Sequence, residues 1–274
     1  MSLAETCFLP YARASRRRSR KHMTVQGNIL VAGTILASPF IGSFIGTLVE
    51  DLPRGLLLAR RRSRCDACAT PLGAADLVPL ASFLLRRGRC AHCGAAIPRR
   101  LLLIELATLL LAVVIAVLDP AGPRVPLDFA FAATLLAAAL IDLDCLRLPD
   151  ALTLPLLLAG LVVTALRQPE ALPAHAAGAA LGYLGFTGLR LLWRRLRGID
   201  ALGAGDAKLL AAGAAWLPPA ALPWAVVIAG LAGLAGFAAW AVLRAEAGGA
   251  PLARQKLPFG PALAFGLLVV RLAA

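Results

Sequence analysis

Apolar runs of about 20 residues constrain this chain more than any other feature, because a run of that length spans the hydrocarbon core of a bilayer. They occupy residues 29–49, 101–118 (interrupted only by Glu105), 127–143, 151–166, 174–193, 202–217, 222–243 and, on the short side, 259–274. The expected fold is an all-α polytopic membrane protein of about eight transmembrane helices. Composition agrees. The 274 residues are 59% hydrophobic with a mean hydropathy of +0.78, and a soluble domain of this length needs a more charged surface. The first run is too long for the h-region of a signal peptide and lacks an Ala-x-Ala exit.

The formal net charge of +13 would point to nucleic acid in a soluble protein. Here the Arg residues cluster in short connections between apolar runs, as the bias of Lys and Arg toward cytoplasmic loops requires. The expected partner is therefore membrane lipid and not nucleic acid. With the Cys-rich segment 50–100 on the cytoplasmic side, Arg147, the cluster 190–197, Lys208, Arg244, Arg254 and Lys256 fall there too. Arg124, Arg167 and Arg271 remain opposite. The basic tail ending in Arg16–Lys21 opposes this orientation, and translation from Met23 would remove the conflict.

Segment 50–100 carries ten Arg and four of the six Cys. It is too short for its own hydrophobic core without a staple. Cys65-x-x-Cys68 and Cys90-x-x-Cys93 form two knuckles separated by 21 residues. Such knuckles bring four thiolates into the tetrahedral arrangement that suits zinc, and four ligands leave no open position, so the metal is structural. A cytosolic loop keeps its thiols reduced, which disfavours disulfides. His92 is a bystander within its knuckle, and Cys7 and Cys145 are unpaired thiols.

A carboxylate within a span costs about 2.5–3.5 kcal/mol on insertion scales and marks a functional suspect. Asp142 closes the third run and Asp206 lies near the start of the sixth, which alternating topology puts at one face. Two carboxylates facing each other in a low dielectric share a proton, so that one activates water and the other protonates the leaving group. The bland alternative is that each caps a helix. Asp206 closes Gly203-Ala204-Gly205-Asp206, where two glycines permit close backbone approach. None of His22, His92 and His175 is placed to pair with a nucleophile at that face.

Taken in order, these segments resemble the bacterial type IV prepilin peptidases, or leader peptidase/N-methyltransferases. The matching stretches begin with Arg64-Cys65-x-x-Cys68, Asp76-Leu77-Val78-Pro79-Leu80-Ala81-Ser82-Phe83 and Arg87-Gly88-Arg89-Cys90-x-x-Cys93-Gly94, followed by Glu105. They continue with Ile141-Asp142-Leu143-Asp144, Leu148-Pro149-Asp150, the Gly-x-Gly-Asp at 203–206 and Pro258-Phe259-Gly260-Pro261. The resemblance implies an intramembrane aspartic protease of the bacterial inner membrane. It would cut type IV prepilins or pseudopilins after a Gly, where the basic leader meets the apolar helix, at the cytoplasmic face. The family's first catalytic Asp precedes the Leu-Pro-Asp by eight residues, which gives Asp142 over Asp144, and its second gives Asp206.

Many members also methylate the new N-terminus from S-adenosylmethionine, with the Cys-rich loop implicated. Gly46, Asp51 and Ala69 stand where the family usually has Asn, Arg and Gly. A peptidase without methylation, and a non-catalytic zinc-ribbon assembly factor, are the alternatives. The expected organisation is a basic tail at 1–22, a methyltransferase-associated half at 23–118 holding the zinc loop, and a six-helix peptidase half at 119–274. Residues of the methyl-donor site are not assigned.

Overall fold

The computed structural model describes residues 4–55, 63–119, 122–198, 203–246 and 258–273; of residues 4–25 and 244–246 it describes the backbone alone. The side chains of the basic tail, Cys7, Arg254 and Lys256, and with them the start at Met23, lie outside the described residues. The described chain is helical, with two isolated β-bridges and no strand. Its α-helices are α1 (Ala4–Asp51), α2 (Ala81–Leu85), α3 (Arg99–Leu118), α4 (Val125–Cys145), α5 (Asp150–Arg167), α6 (Leu172–Arg197), α7 (Ala204–Ala214), α8 (Leu222–Glu246) and α9 (Gly260–Ala273).

Each of the eight apolar runs has a helix of its own, α1 and α3 to α9, although the run at 202–217 continues past the end of α7. Five stretches, within α1, α3, α4 and α5 and at 219–243, are long and apolar enough to cross a membrane. The chain is thus a multi-pass helical membrane protein. The other three runs fall short for visible reasons. α6 is 26 residues long but carries glycines and ends in Arg194, Arg195 and Arg197, while α7 and α9 have only 11 and 14 residues. α1 continues unbroken from Ala4 into the first run.

Two compact units emerge, one of residues 1–44 and 62–130 and the other of 45–61 and 131–274. In the first, α1 meets α3 at Gly42, where a Cβ would lie 2.8 Å from the Glu105 backbone. Only a residue without a side chain lets the helices approach so closely, the usual device of membrane helix packing. In the second, α7 is central: Asp206, Ala207 and residues 209–214 are buried by α5, α6 and α9, and α8 packs on α9. Gly213 allows the α7–α9 approach, since a Cβ there would overlap the Leu267 side chain.

Candidate active site and cysteine cluster

Both suspect carboxylates belong to the second unit, and both are buried, each 6% exposed. Asp142 sits one turn before the end of α4, and Asp206 is the third residue of α7. The Gly260 N–H, at the start of α9, donates to Asp142 Oδ2 at 2.8 Å. The Gly203 N–H donates to Asp206 Oδ2 at 3.1 Å. A Cβ at Gly260 would stand 2.6 Å from the same Asp142 oxygen, so the backbone can reach the carboxylate only because residue 260 is glycine. Gly205 plays a similar part, since a Cβ there would lie 2.7 Å from Leu148 Cβ.

The charge of Asp142 acts on Asp206, which puts the two acids within electrostatic reach of each other. Each also caps a helix start, Asp206 its own and Asp142 that of α9, so the cap reading holds in part. A cap, however, needs neither burial nor a second acid beside it. Asp144 is exposed, and Asp150 pairs with Lys208 at 2.5 Å on the surface. His175, which the sequence leaves without a nucleophile partner, is buried with Nδ1 3.1 Å from the Ala215 carbonyl.

In the first unit the Sγ atoms of Cys65, Cys68, Cys90 and Cys93 lie within 4.8 Å of one another. The two knuckles repeat one turn. The Cys65 N–H donates to Thr70 O (3.0 Å) and the Cys90 N–H to Ala95 O (2.8 Å), while Ala69 and Gly94 bond back to the carbonyls of Cys65 and Cys90. Bridges Arg64–Pro71 and Arg89–Ala96 close the two turns. No whole-chain repeat is visible in the sequence, and this local one hides because its shared residues reduce to Arg-Cys-x-x-Cys at 64–68 and 89–93. Gly94 adopts φ +70° without strain, whereas Ala69 occupies the same left-handed region at φ +55°.

The donor set fits zinc. Sulfurs bonded at about 2.3 Å to one tetrahedral ion stand about 3.8 Å apart, and Cys65 Sγ and Cys93 Sγ are 3.8 Å apart. The Thr70 hydroxyl, 3.2 Å from Cys68 Sγ, and then the Thr70 backbone lower the Cys68 thiol to about 6. The backbone amides of Cys93 and His92 lower Cys90 as well. Both shifts favour the thiolates that a metal needs. Cys93 is instead raised to about 11, the lowering by the Ala95 backbone being outweighed by burial and the three neighbouring thiols. His92 is exposed and stands apart from the cluster.

The segments at 36–118 match the bacterial Peptidase A24 N-terminal domain, and those at 129–238 match the Type IV leader peptidase family. A prepilin leader peptidase/N-methyltransferase of Aeromonas salmonicida (strain A449) is 39% identical over 256 residues, covering 84% of this chain and 86% of the relative. The chain belongs to the type IV leader peptidase family. Another prepilin leader peptidase/N-methyltransferase, from Burkholderia pseudomallei (strain 1026b), is 43% identical over 218 residues, or 79% of this chain and 69% of that one. A type 4 prepilin-like proteins leader peptide-processing enzyme of Escherichia coli O78:H11 is 34% identical over 210 residues, 76% and 74% of the two chains. No solved structure matches.

Within this leader peptidase family member, Asp142 and Asp206 lie inside the second matched segment and the four Cys inside the first. Reasoning from sequence leaves two participants without a role. Gly260 donates to Asp142 from 118 residues away, a distance that hides the pairing. Glu105, noticed as a charge within a span and as part of the family resemblance but given no role, is buried and accepts the Leu80 N–H at 2.8 Å as well as a bond from Ser43. It thereby ties the Cys-rich loop, at a residue with φ +60°, to the helices beneath it.

Proposed function

We propose that this protein is an intramembrane aspartic endopeptidase that removes the basic leader of type IV prepilins or pseudopilins after a Gly at the cytoplasmic face of the bacterial inner membrane. The single observation that carries this reading is the pair of buried carboxylates, Asp142 and Asp206, interacting in one helical unit. The relatives' names supply the substrate class. In the reaction one carboxylate of the pair is ionised and the other protonated, because two like charges cannot both be kept in a low dielectric. The ionised group takes a proton from a water molecule whose oxygen bonds to the scissile carbonyl carbon. The protonated partner passes its proton to the departing amide nitrogen as the C–N bond breaks. Gly203 and Gly260 fix one oxygen of each acid and so orient both groups for these transfers.

Cys65, Cys68, Cys90 and Cys93 would hold a structural zinc that staples the loop between α1 and α3. We further propose that residues 23–118 serve methylation of the freed N-terminus, with S-adenosylmethionine as donor, and that 119–274 form the peptidase half. Support for methylation is the N-methyltransferase in the relatives' names. The test is reconstitution of the purified protein with a prepilin, reading the product's N-terminus by mass. A product without its leader and one methyl group heavier is expected. An intact prepilin would refute cleavage, and a cut but unmethylated product would refute methylation alone.

A further inference from the structure

An α-helix of 11 residues rises only about 16 Å, roughly half of a hydrocarbon core of about 30 Å. α7 therefore stops inside the second unit, and its last carbonyls must find donors where water is excluded. The accounting is complete from residue 213 to 216. Gly213 O and Ala214 O accept the N–H groups of Trp216 (3.0 Å) and Leu217 (3.3 Å). Ala215 O accepts from Thr164 Oγ1 of α5 at 3.4 Å and from His175 Nδ1 of α6 at 3.1 Å, the latter in its Nδ1–H tautomer. Trp216 O accepts from Arg271 Nη1 of α9 at 3.0 Å. The Trp216 ring is pinned in turn by its own N–H on Leu156 O, at 2.8 Å, and by Phe131 of α4, with centroids 5.3 Å apart.

Four helices thus converge on the far end of α7, and one of them commits an arginine, a costly residue in an apolar helix. Its positive charge also complements the negative end of the helix dipole. Among the described residues the near end is held by fewer side-chain bonds. Gly203 precedes the helix and Gly205 lies in its first turn, where the backbone is least stiff. The Lys208–Asp150 pair is exposed there, and such pairs contribute little. We propose that Arg271, assisted by His175 and Thr164, is a positioning residue for Asp206, anchoring α7 from the end opposite its carboxylate. This rests on the reading of Asp206 as catalytic.

The experiment uses the full chain in reconstituted membranes as wild type, Arg271→Met, Arg271→Lys and the double variant Thr164→Val/His175→Phe. Prepilin cleavage and amide hydrogen exchange are measured on each. Arg271→Met is expected to lower kcat about 10- to 100-fold, the scale of an ångström-sized misplacement, with KM unchanged. It also accelerates exchange at amides 206–209, and Arg271→Lys restores most of the rate. The double variant repeats both effects more weakly and carries the test if Arg271→Met does not fold. A full-rate Arg271→Met, or faster exchange confined to 213–217, would overturn the proposal. Asp206→Asn, run beside these, separates the two ideas. An active Asp206→Asn sinks the catalytic reading, whereas a dead one with a full-rate Arg271→Met sinks the anchor alone.

Discussion

A single methyl group separates alanine from glycine, and at residue 260 that methyl would land on Asp142. Gly260→Ala should insert normally yet slow cleavage about 10- to 100-fold, since the displaced oxygen is one that must be held for proton transfer. Wild-type rates in a folded Gly260→Ala enzyme would show that the amide bond does not matter. Asp142→Asn and Asp206→Asn should each lower cleavage at least about 10²- to 10⁴-fold, because an amide cannot take part in sharing the proton. Asp144→Asn, at an exposed position, should be much milder. Ala69→Gly works in the opposite sense. It relieves a left-handed alanine, and even after the added freedom of the unfolded chain it should stabilise the loop by up to about 1 kcal/mol. Thermal melting of the two proteins compares them directly. At this scale the two acids are legible because charge inside an apolar run stands out. The glycine donors are not, because glycine is everywhere in this chain and only the folded packing tells which one touches a carboxylate.

At the scale of the element, the cysteine loop makes its own prediction. With metal removed by a chelator, Cys68 should be alkylated near neutral pH well ahead of Cys93, whose thiol is raised to about 11. The Cys68 thiol is shifted down to about 6, so its reactive thiolate is present above that value and disappears as pH falls through it. Mass mapping of the alkylated peptides checks this, and equal labelling of Cys68 and Cys93 at pH 7 would contradict it. Before chelation all four should resist alkylation, and elemental analysis should find about one zinc per chain. The helices are legible in the sequence, since each apolar run has a helix of its own. Their inequality is less so. The brevity of α7 is only partly visible, since the apolar stretch continues past Ala214 to Leu217 while Pro218 and Pro219, which cannot continue a helix, mark where it must stop. The Glu105–Leu80 bond is hidden for another reason, as it joins a span to a loop 25 residues earlier.

For the whole molecule the charge asymmetry yields a test of sidedness. Cys145 is exposed as the last residue of α4, three residues after Asp142, so in the orientation proposed above a membrane-impermeant thiol reagent should label it in inverted vesicles and spare it in intact spheroplasts. The reverse pattern would turn the molecule over and move the acids away from the cytoplasm. The bond between Gly260 and Asp142 carries a different implication, one of timing. Its two ends are separated by 118 residues, so a nascent chain holds Asp142 in the membrane long before the amide that orients it has been synthesised. Until α9 docks, Asp142 lacks the amide that holds it, so on the reading proposed above the site reaches its full rate only when the last helix is in place. Under that reading, full hydrolytic competence comes late in biogenesis, as a property of the completed assembly.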